Sequence, residues 1–287
     1  MHSKYNESLI SIDGKVVSNY ESNIPTNNRG LLFGDGLFET IFYLNGKILL
    51  FDEHYERLRK GLKLLGGKAP DKESLLIDAT ILLHKKEAVS AKVKLVFFRK
   101  GEGAYSPESN EFTQLIEVAP LKSDGFQPNN TLEAGVYPEP LLVFNSLSAI
   151  KRIAAVNYVI ANKWVNENNL DLCLLKNAKN QLAEFDHGNL FLVKNGEVFT
   201  PPLSSGALPG VTRRFLMELL KNNGLTVVEK AIEESDLKDY DEIWATSSLS
   251  GLRSISRIQD WTFNHKVYDT VFPKFVKEIK KQSKKIR

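Results

Sequence analysis

The stretch Glu39-Thr40-Ile41-Phe42-Tyr43-Leu44, Asn45-Gly46, Lys47-Ile48-Leu49-Leu50-Phe51 decides the fold class. Two runs rich in apolar, aromatic and β-branched residues flank a pair that accepts positive φ. A type I′ turn needs that pair, so the stretch reads as strand, tight turn, strand. The same device recurs at Leu190-Phe191-Leu192-Val193, Asn195-Gly196, Val198-Phe199. A weaker Asp13-Gly14 turn joins Leu9-Ile10-Ser11-Ile12 to Val16-Val17.

Helical spacing appears between these hairpins. Asp52 is placed to cap a helix with Tyr55, Leu58, Leu62 and Leu65 inward, stopped at Gly66-Gly67. Asp71 starts a second helix through Leu75, Leu76, Ala79, Leu82 and Leu83. Val93–Phe98 and Gln114–Val118 read as strands. A helix is expected from about Ile150 to Asn166, with Ile153, Val156, Ile160 and Trp164 inward. Asp171–Leu175 reads as a strand, Thr212 opens a helix ended by Gly224, and Val227-Val228 and Glu242–Thr246 read as strands. Hairpins in both halves, without strict strand–helix alternation, argue for an α+β (mixed α/β) chain of two domains rather than a doubly wound sheet. The turn-rich segment 123–130 is the expected linker, between a small α/β domain at 1–122 and a larger one at 131–287.

Composition excludes several classes. With 42% hydrophobic and 25% charged residues, the 287-residue chain is an ordinary globular protein with enough apolar side chains for a sizeable core. Its one cysteine, Cys173, rules out an intramolecular disulfide and fits a reducing compartment. No apolar stretch reaches membrane-spanning length, and residues 1–7 show no signal-peptide core, so a cytoplasmic location is expected. Residues 274–287 carry a net +6 against +3 for the whole chain, which leaves −3 for residues 1–273. This tail reads as a solvated last helix with Phe272, Phe275 and Ile279 docked; no nucleic acid or membrane partner is expected.

Three features carry chemistry: Lys151 in Ala149-Ile150-Lys151-Arg152, Glu184 in Leu182-Ala183-Glu184, and the turn Leu208-Pro209-Gly210-Val211-Thr212-Arg213. An amine, a carboxylate and an anion-binding helix start are the parts that hold pyridoxal 5′-phosphate. The amine makes a Schiff base with the aldehyde, the carboxylate keeps the pyridine nitrogen protonated, and the turn offers N–H groups to the phosphate. Taken alone, each has a plainer reading. Lys151 could be a solvated lysine, although the expected helix start would lower its proton affinity. Glu184 could be an edge-strand carboxylate, and Thr212 a simple cap. No metal site is expected.

The order of four blocks resembles the class IV aminotransferases, the fold-type IV pyridoxal-phosphate enzymes that include branched-chain and D-amino-acid aminotransferases and 4-amino-4-deoxychorismate lyase. The blocks are Asn28–Thr40, Asp52–Leu58, Lys151–Asn189, and Thr200–Leu203 with Gly206–Arg213 and Ala245–Ser248. The resemblance implies a two-domain fold whose larger C-terminal domain binds the cofactor. It implies Lys151 as the Schiff-base lysine, Glu184 at the pyridinium, and Arg57, Gly210, Val211, Thr212, Ser247 and Ser248 at the phosphate. It also puts Phe38 and Glu39 in or beside the substrate pocket. Arg99, Lys100, Tyr105 and Arg253 are further polar candidates for substrate. A homodimer is implied, with the loop 101–110 of one copy closing the other's pocket.

The chain also departs from that pattern. Ala154 and Ala155 stand where the family has an asparagine, and no tyrosine follows there; Asn157-Tyr158 lies too far along without a shift. Phe185-Asp186-His187-Gly188 replaces small hydroxyl residues, and Ala104 stands near the lyases' second arginine. The Arg-x-His trap of the D-amino-acid enzymes is missing. The resemblance implies transamination between a small amino acid and a 2-oxo acid. Pyruvate elimination from aminodeoxychorismate is the second reading, and a non-catalytic homologue the third.

Overall fold

The computed structural model describes residues 9–122, 125–129 and 131–285. Part of the expected linker, at 123, 124 and 130, lies outside the described residues. The chain forms two compact units. The first holds the described residues up to Gly125, the segment Ile150–Ala154 and the chain end from Gln282. The second holds Phe126–Ala149 and Ala155–Lys281. The first unit thus takes two pieces from the region 131–287 expected as one domain.

The first unit runs β1 (Leu9–Ile12), β2 (Lys15–Ser18), α1 (Arg29–Phe33), β3 (Gly36–Leu44), β4 (Lys47–Ile48), α2 (Phe51–Leu64), α3 (Lys72–Lys85), β5 (Ser90–Arg99) and β6 (Phe112–Pro120). The hairpin turns form as their residues require: Asn45 and Gly46 take φ of 48° and 76°, and Asp13 and Gly14 take 47° and 80°. Alternate residues of β3 and β5, among them Leu37, Ile41, Val93 and Leu95, pack with Leu58, Leu62, Leu75 and Leu82 of α2 and α3 to make the core. Asp71 caps α3 by accepting the Ser74 N–H at 2.9 Å. Asp52 is no cap, because α2 begins one residue earlier, at Phe51, behind a left-handed Leu50.

The second unit runs β7 (Leu132–Leu142), α4 (Val156–Glu167), β8 (Leu172–Asn177), β9 (Gln181–Phe185), β10 (Gly188–Lys194), β11 (Glu197–Thr200), α5 (Val211–Asn222), β12 (Val227–Glu229), β13 (Ile232–Glu233), β14 (Glu242–Ser247), β15 (Gly251–Ile258), β16 (Trp261–Thr262) and α6 (Lys266–Lys281). A last short strand, β17 (Lys284–Lys285), pairs with β4, so the first unit's sheet is antiparallel throughout in the order β17-β4-β3-β5-β6-β1-β2. In the second unit β10 pairs with both β14 and β9, which closes β10-β14-β15-β7-β8-β9 into a ring. Leu132, Leu174, Phe185, Leu190, Leu192, Ala245 and Ile255 belong to one core on one face of these strands. The opposite face is covered by helices: Ala161 and Val165 of α4 meet Cys173 and Leu175 there. Phe215 of α5 and Phe275 of α6 meet edge-on at 5.4 Å. Phe272, Phe275 and Ile279 are buried, as the spacing of the last helix predicts.

The helix expected from Ile150 begins only at Val156, and Val156, Val159 and Ile160 are exposed. Residues 150–154 form no helix and instead bridge to the start of β3 at Leu37 and Arg152. The Phe38 N–H donates to the Lys151 carbonyl at 2.9 Å and the Ile153 N–H to the Gly36 carbonyl at 3.1 Å. The open edge of β3 has claimed a segment whose apolar spacing alone suited a helix.

Candidate active site

In the first unit Lys151 is therefore presented from a segment bridged to the edge of β3. Pairing of Leu37 with Arg152 puts Lys151 and Phe38 on the same face, and the Lys151 ammonium lies 4.5 Å from the Phe38 ring centroid. Lys94 stands 5.4 Å from the same ring. No helix starts at Lys151, so the helix dipole expected to act on its amine has no source there.

Glu39, next along β3, points to the other face, toward α2. Its carboxylate accepts from Arg57 Nε at 2.8 Å, Arg57 Nη2 at 2.6 Å and His54 Nδ1 at 2.7 Å. Burial pushes the Glu39 carboxyl up, but the Arg57 guanidinium and the His54 hydrogen bond outweigh it and hold it down to about 2. Burial likewise pushes His54 below its ordinary value, so the ring is neutral and donates. Glu39 is thus a clamp that fixes the plane of the Arg57 guanidinium, not a substrate contact. Arg99 is also reassigned. It is buried, and its guanidinium is spent on Asp35, Asn110 and the carbonyls of Ser109 and Leu65. Asp35 bridges Arg99 to Arg29, and Arg29 in turn donates to the carbonyls of Glu102, Gly103 and Ala104. The loop carrying Tyr105 is fastened this way, while Tyr105 itself is 92% exposed with its ring 5.9 Å from Phe33. Lys100 pairs with Asp13 near the surface.

In the second unit, register builds the cluster. Leu175, Glu184, Asn189, Thr246 and Leu252 are successive cross-strand partners on β8, β9, β10, β14 and β15, so they form one row on the helix-covered face. A bulge lies next to Glu184: Leu175 opposes Glu184 but Lys176 opposes Leu182, which leaves Ala183 as the extra residue. The Glu184 carboxylate is 3% exposed. It accepts from the Tyr158 hydroxyl at 2.6 Å, Asn189 Nδ2 at 3.2 Å and the Leu208 N–H at 3.0 Å.

Beside it α5 begins at Val211 with Gly210 as its cap and, among the described residues, no side-chain cap hydrogen bond. A Cβ on Gly210 would stand 1.9 Å from Asn189 Oδ1, so only glycine allows this approach. The hydroxyls of Thr212 and Thr246 are buried and have no hydrogen-bond partner among the described residues. Ser247 closes the turn after β14 by pairing with Ser250, and Ser248 lies in that turn. Orphaned hydroxyls at an uncapped helix start, where a glycine keeps the approach open, suit an anionic ligand such as a phosphate ester. Arg253 is not gathered here. It lies opposite Ala245 on the face that carries the ring's core, and burial lowers its proton affinity.

A profile of the family described as Amino-transferase class IV matches residues 36–258. The chain belongs to the class IV aminotransferases. It is 29% identical to a putative branched-chain-amino-acid aminotransferase of Methanocaldococcus jannaschii over 97% of this chain and 96% of that one. It is 28% identical to an aminodeoxychorismate lyase of Vibrio harveyi over 83% and 88% of the two chains. Its fold matches that of the branched-chain amino acid aminotransferase of Thermobaculum terrenum in its PLP form, with a TM-score of 0.86, 18% identity, and 97% and 95% of the chains covered.

Two residues of this class IV aminotransferase stand in the Glu184 cluster without being singled out by the motifs. Thr246 carries no local signal beyond its place next to Ser247, and only strand pairing puts it beside Asn189. Tyr158 is set aside by its spacing from Lys151, a distance along the chain that says nothing of where α4 lies against β9. Among the described residues of the enzyme no group of three or more His, Cys, Asp or Glu side chains could hold a metal ion, and no helix is long and apolar enough to cross a membrane.

Proposed function

We propose that this enzyme uses pyridoxal 5′-phosphate to transfer an amino group between a small amino acid and a 2-oxo acid. The observation that carries the proposal is the buried Glu184 carboxylate, held by three donors beside an uncapped helix start with two orphaned hydroxyls. When bound, the cofactor supplies an electron sink for the substrate's Cα–H bond. Thr212, Thr246, Ser247, Ser248 and the first N–H groups of α5 would hold the phosphate, and Arg57 would supply a positive charge to it. Glu184 holds a proton at the ring nitrogen. Lys151 would hold the cofactor covalently through Nζ and would take and return the substrate's Cα proton as general base and acid. Phe38 orients the Lys151 side chain.

A second reading, pyruvate elimination from aminodeoxychorismate, is favoured by the Vibrio harveyi relative and by the loop Gly101–Ser106. The exposed Tyr105 suits the expectation that this loop meets a second copy of the chain.

The experiment is spectroscopic. Protein reconstituted with pyridoxal phosphate is expected to gain a visible band that Lys151→Ala lacks. Under transamination an amino donor alone bleaches that band to the pyridoxamine form. Under the lyase reading aminodeoxychorismate releases pyruvate with no oxo acid present. A Lys151→Ala protein that keeps band and turnover overturns the assignment of the amine.

A further inference from the structure

The geometry points to Tyr158 as a positioning residue that fixes the Glu184 carboxylate through one oxygen while the strand and turn fix the other. The inference rests on the reading that Glu184 serves the cofactor's ring nitrogen. Glu184 Oε2 takes Asn189 Nδ2 and the Leu208 N–H, both set by the sheet and by the turn before α5. Oε1 takes the Tyr158 hydroxyl at 2.6 Å, from α4. A carboxylate only accepts, so the phenol donates, and a bond this short to a charged acceptor is of the strong, charge-assisted kind. With donors at both oxygens, the plane of the carboxylate is set.

The support under Tyr158 is rigid. Ala161 and Val165, on the same helix, are buried against Cys173, Leu175 and Ala183. Asn162, one turn beyond Tyr158, reaches toward Asp186, two residues beyond Glu184, at 3.5 Å. Helix α4 is thereby laid over β7 and β8 in a register that brings the phenol to Glu184 on the neighbouring β9. The bulge at Ala183 lets Leu182 and Phe185 both face the ring's core while Glu184 faces the helices.

The test is a double-mutant cycle on cofactor binding. Stripped wild-type protein, Tyr158→Phe, Glu184→Ala and the double variant are titrated with pyridoxal phosphate, and the visible absorbance of the bound cofactor is followed against pH. Tyr158→Phe is expected to bind about tenfold more weakly and to shift the pH profile of the band. In the Glu184→Ala background the same change is expected to do neither. Binding by Tyr158→Phe within twofold of wild type, or an equal loss in both backgrounds, overturns the inference. If this variant gives no cooperative melt, Tyr158→Met, of similar reach and without a donor, is read by the same criteria. A wild-type protein that gains no band at all overturns the proposed function and this inference with it. A wild type that binds while the cycle fails overturns this inference alone.

Discussion

At the scale of single residues, the two orphaned hydroxyls separate binding from stability. A buried hydroxyl without a partner costs about 1–3 kcal/mol, and valine replaces threonine's hydroxyl with a methyl of similar size. Thr212→Val and Thr246→Val are therefore expected to leave the melting of the cofactor-free protein unchanged or higher, while each weakens pyridoxal phosphate binding about tenfold. Loss of stability with unchanged affinity would assign the hydroxyls to the fold instead. The motifs make Thr212 legible, since a hydroxyl after Pro-Gly at a helix start has a local reason to meet an anion. Arg99 shows the limit of such reading. Its partners Asp35 and Leu65 lie far from it along the chain, and nothing in its immediate neighbours marks a guanidinium already spent.

At the scale of elements, the critical piece is the segment that carries Lys151 along the edge of β3. Gly36 is what lets it lie there: a Cβ would meet Ile153 Cδ1 at 2.3 Å and the Phe97 carbonyl oxygen at 2.4 Å. Ile153 could yield, but the β5 backbone could not. Gly36→Ala is expected to cost about 2 kcal/mol in urea denaturation and to lower the yield of Lys151 covalently attached to cofactor after borohydride reduction. A variant as stable as wild type with full attachment would show that the segment does not depend on that close approach. The hairpins were legible because Asn45-Gly46 and Asn195-Gly196 state their backbone requirement locally. This segment was not. Its apolar spacing fits a helix, and the strand edge that captures it comes from far earlier in the chain. The second unit's closed ring was hidden for the same reason, because the Asn195-Gly196 turn announces the pairing of β10 with β11 but not that of β10 with β9 and β14.

At the scale of the whole molecule, acid should find the fold's weak point in the buried Glu39–Arg57–His54 group. Glu39 titrates at about 2 in the folded chain against an ordinary 4.5, so the unfolded chain takes up the proton first. The stability this contributes is complete above pH 4.5 and is lost as the pH falls toward 2; a shift of that size corresponds to about 3 kcal/mol. His54 acts in the same direction at higher pH. Burial holds it below its ordinary value, so its contribution is complete above 6.5 and declines below it. The comparison that isolates Glu39 is Glu39→Gln. At pH 7 the variant leaves the Arg57 charge, only 10% exposed, without its carboxylate, and is expected to be about 3 kcal/mol less stable than wild type. As the pH is lowered the wild type loses its advantage while the variant has no such carboxyl to titrate. The two urea midpoints should therefore converge as the pH falls from 4.5 to about 2. A gap that stays constant across that window would mean that Glu39 does not titrate with folding, and that the clamp on Arg57 stabilises by shape rather than by charge.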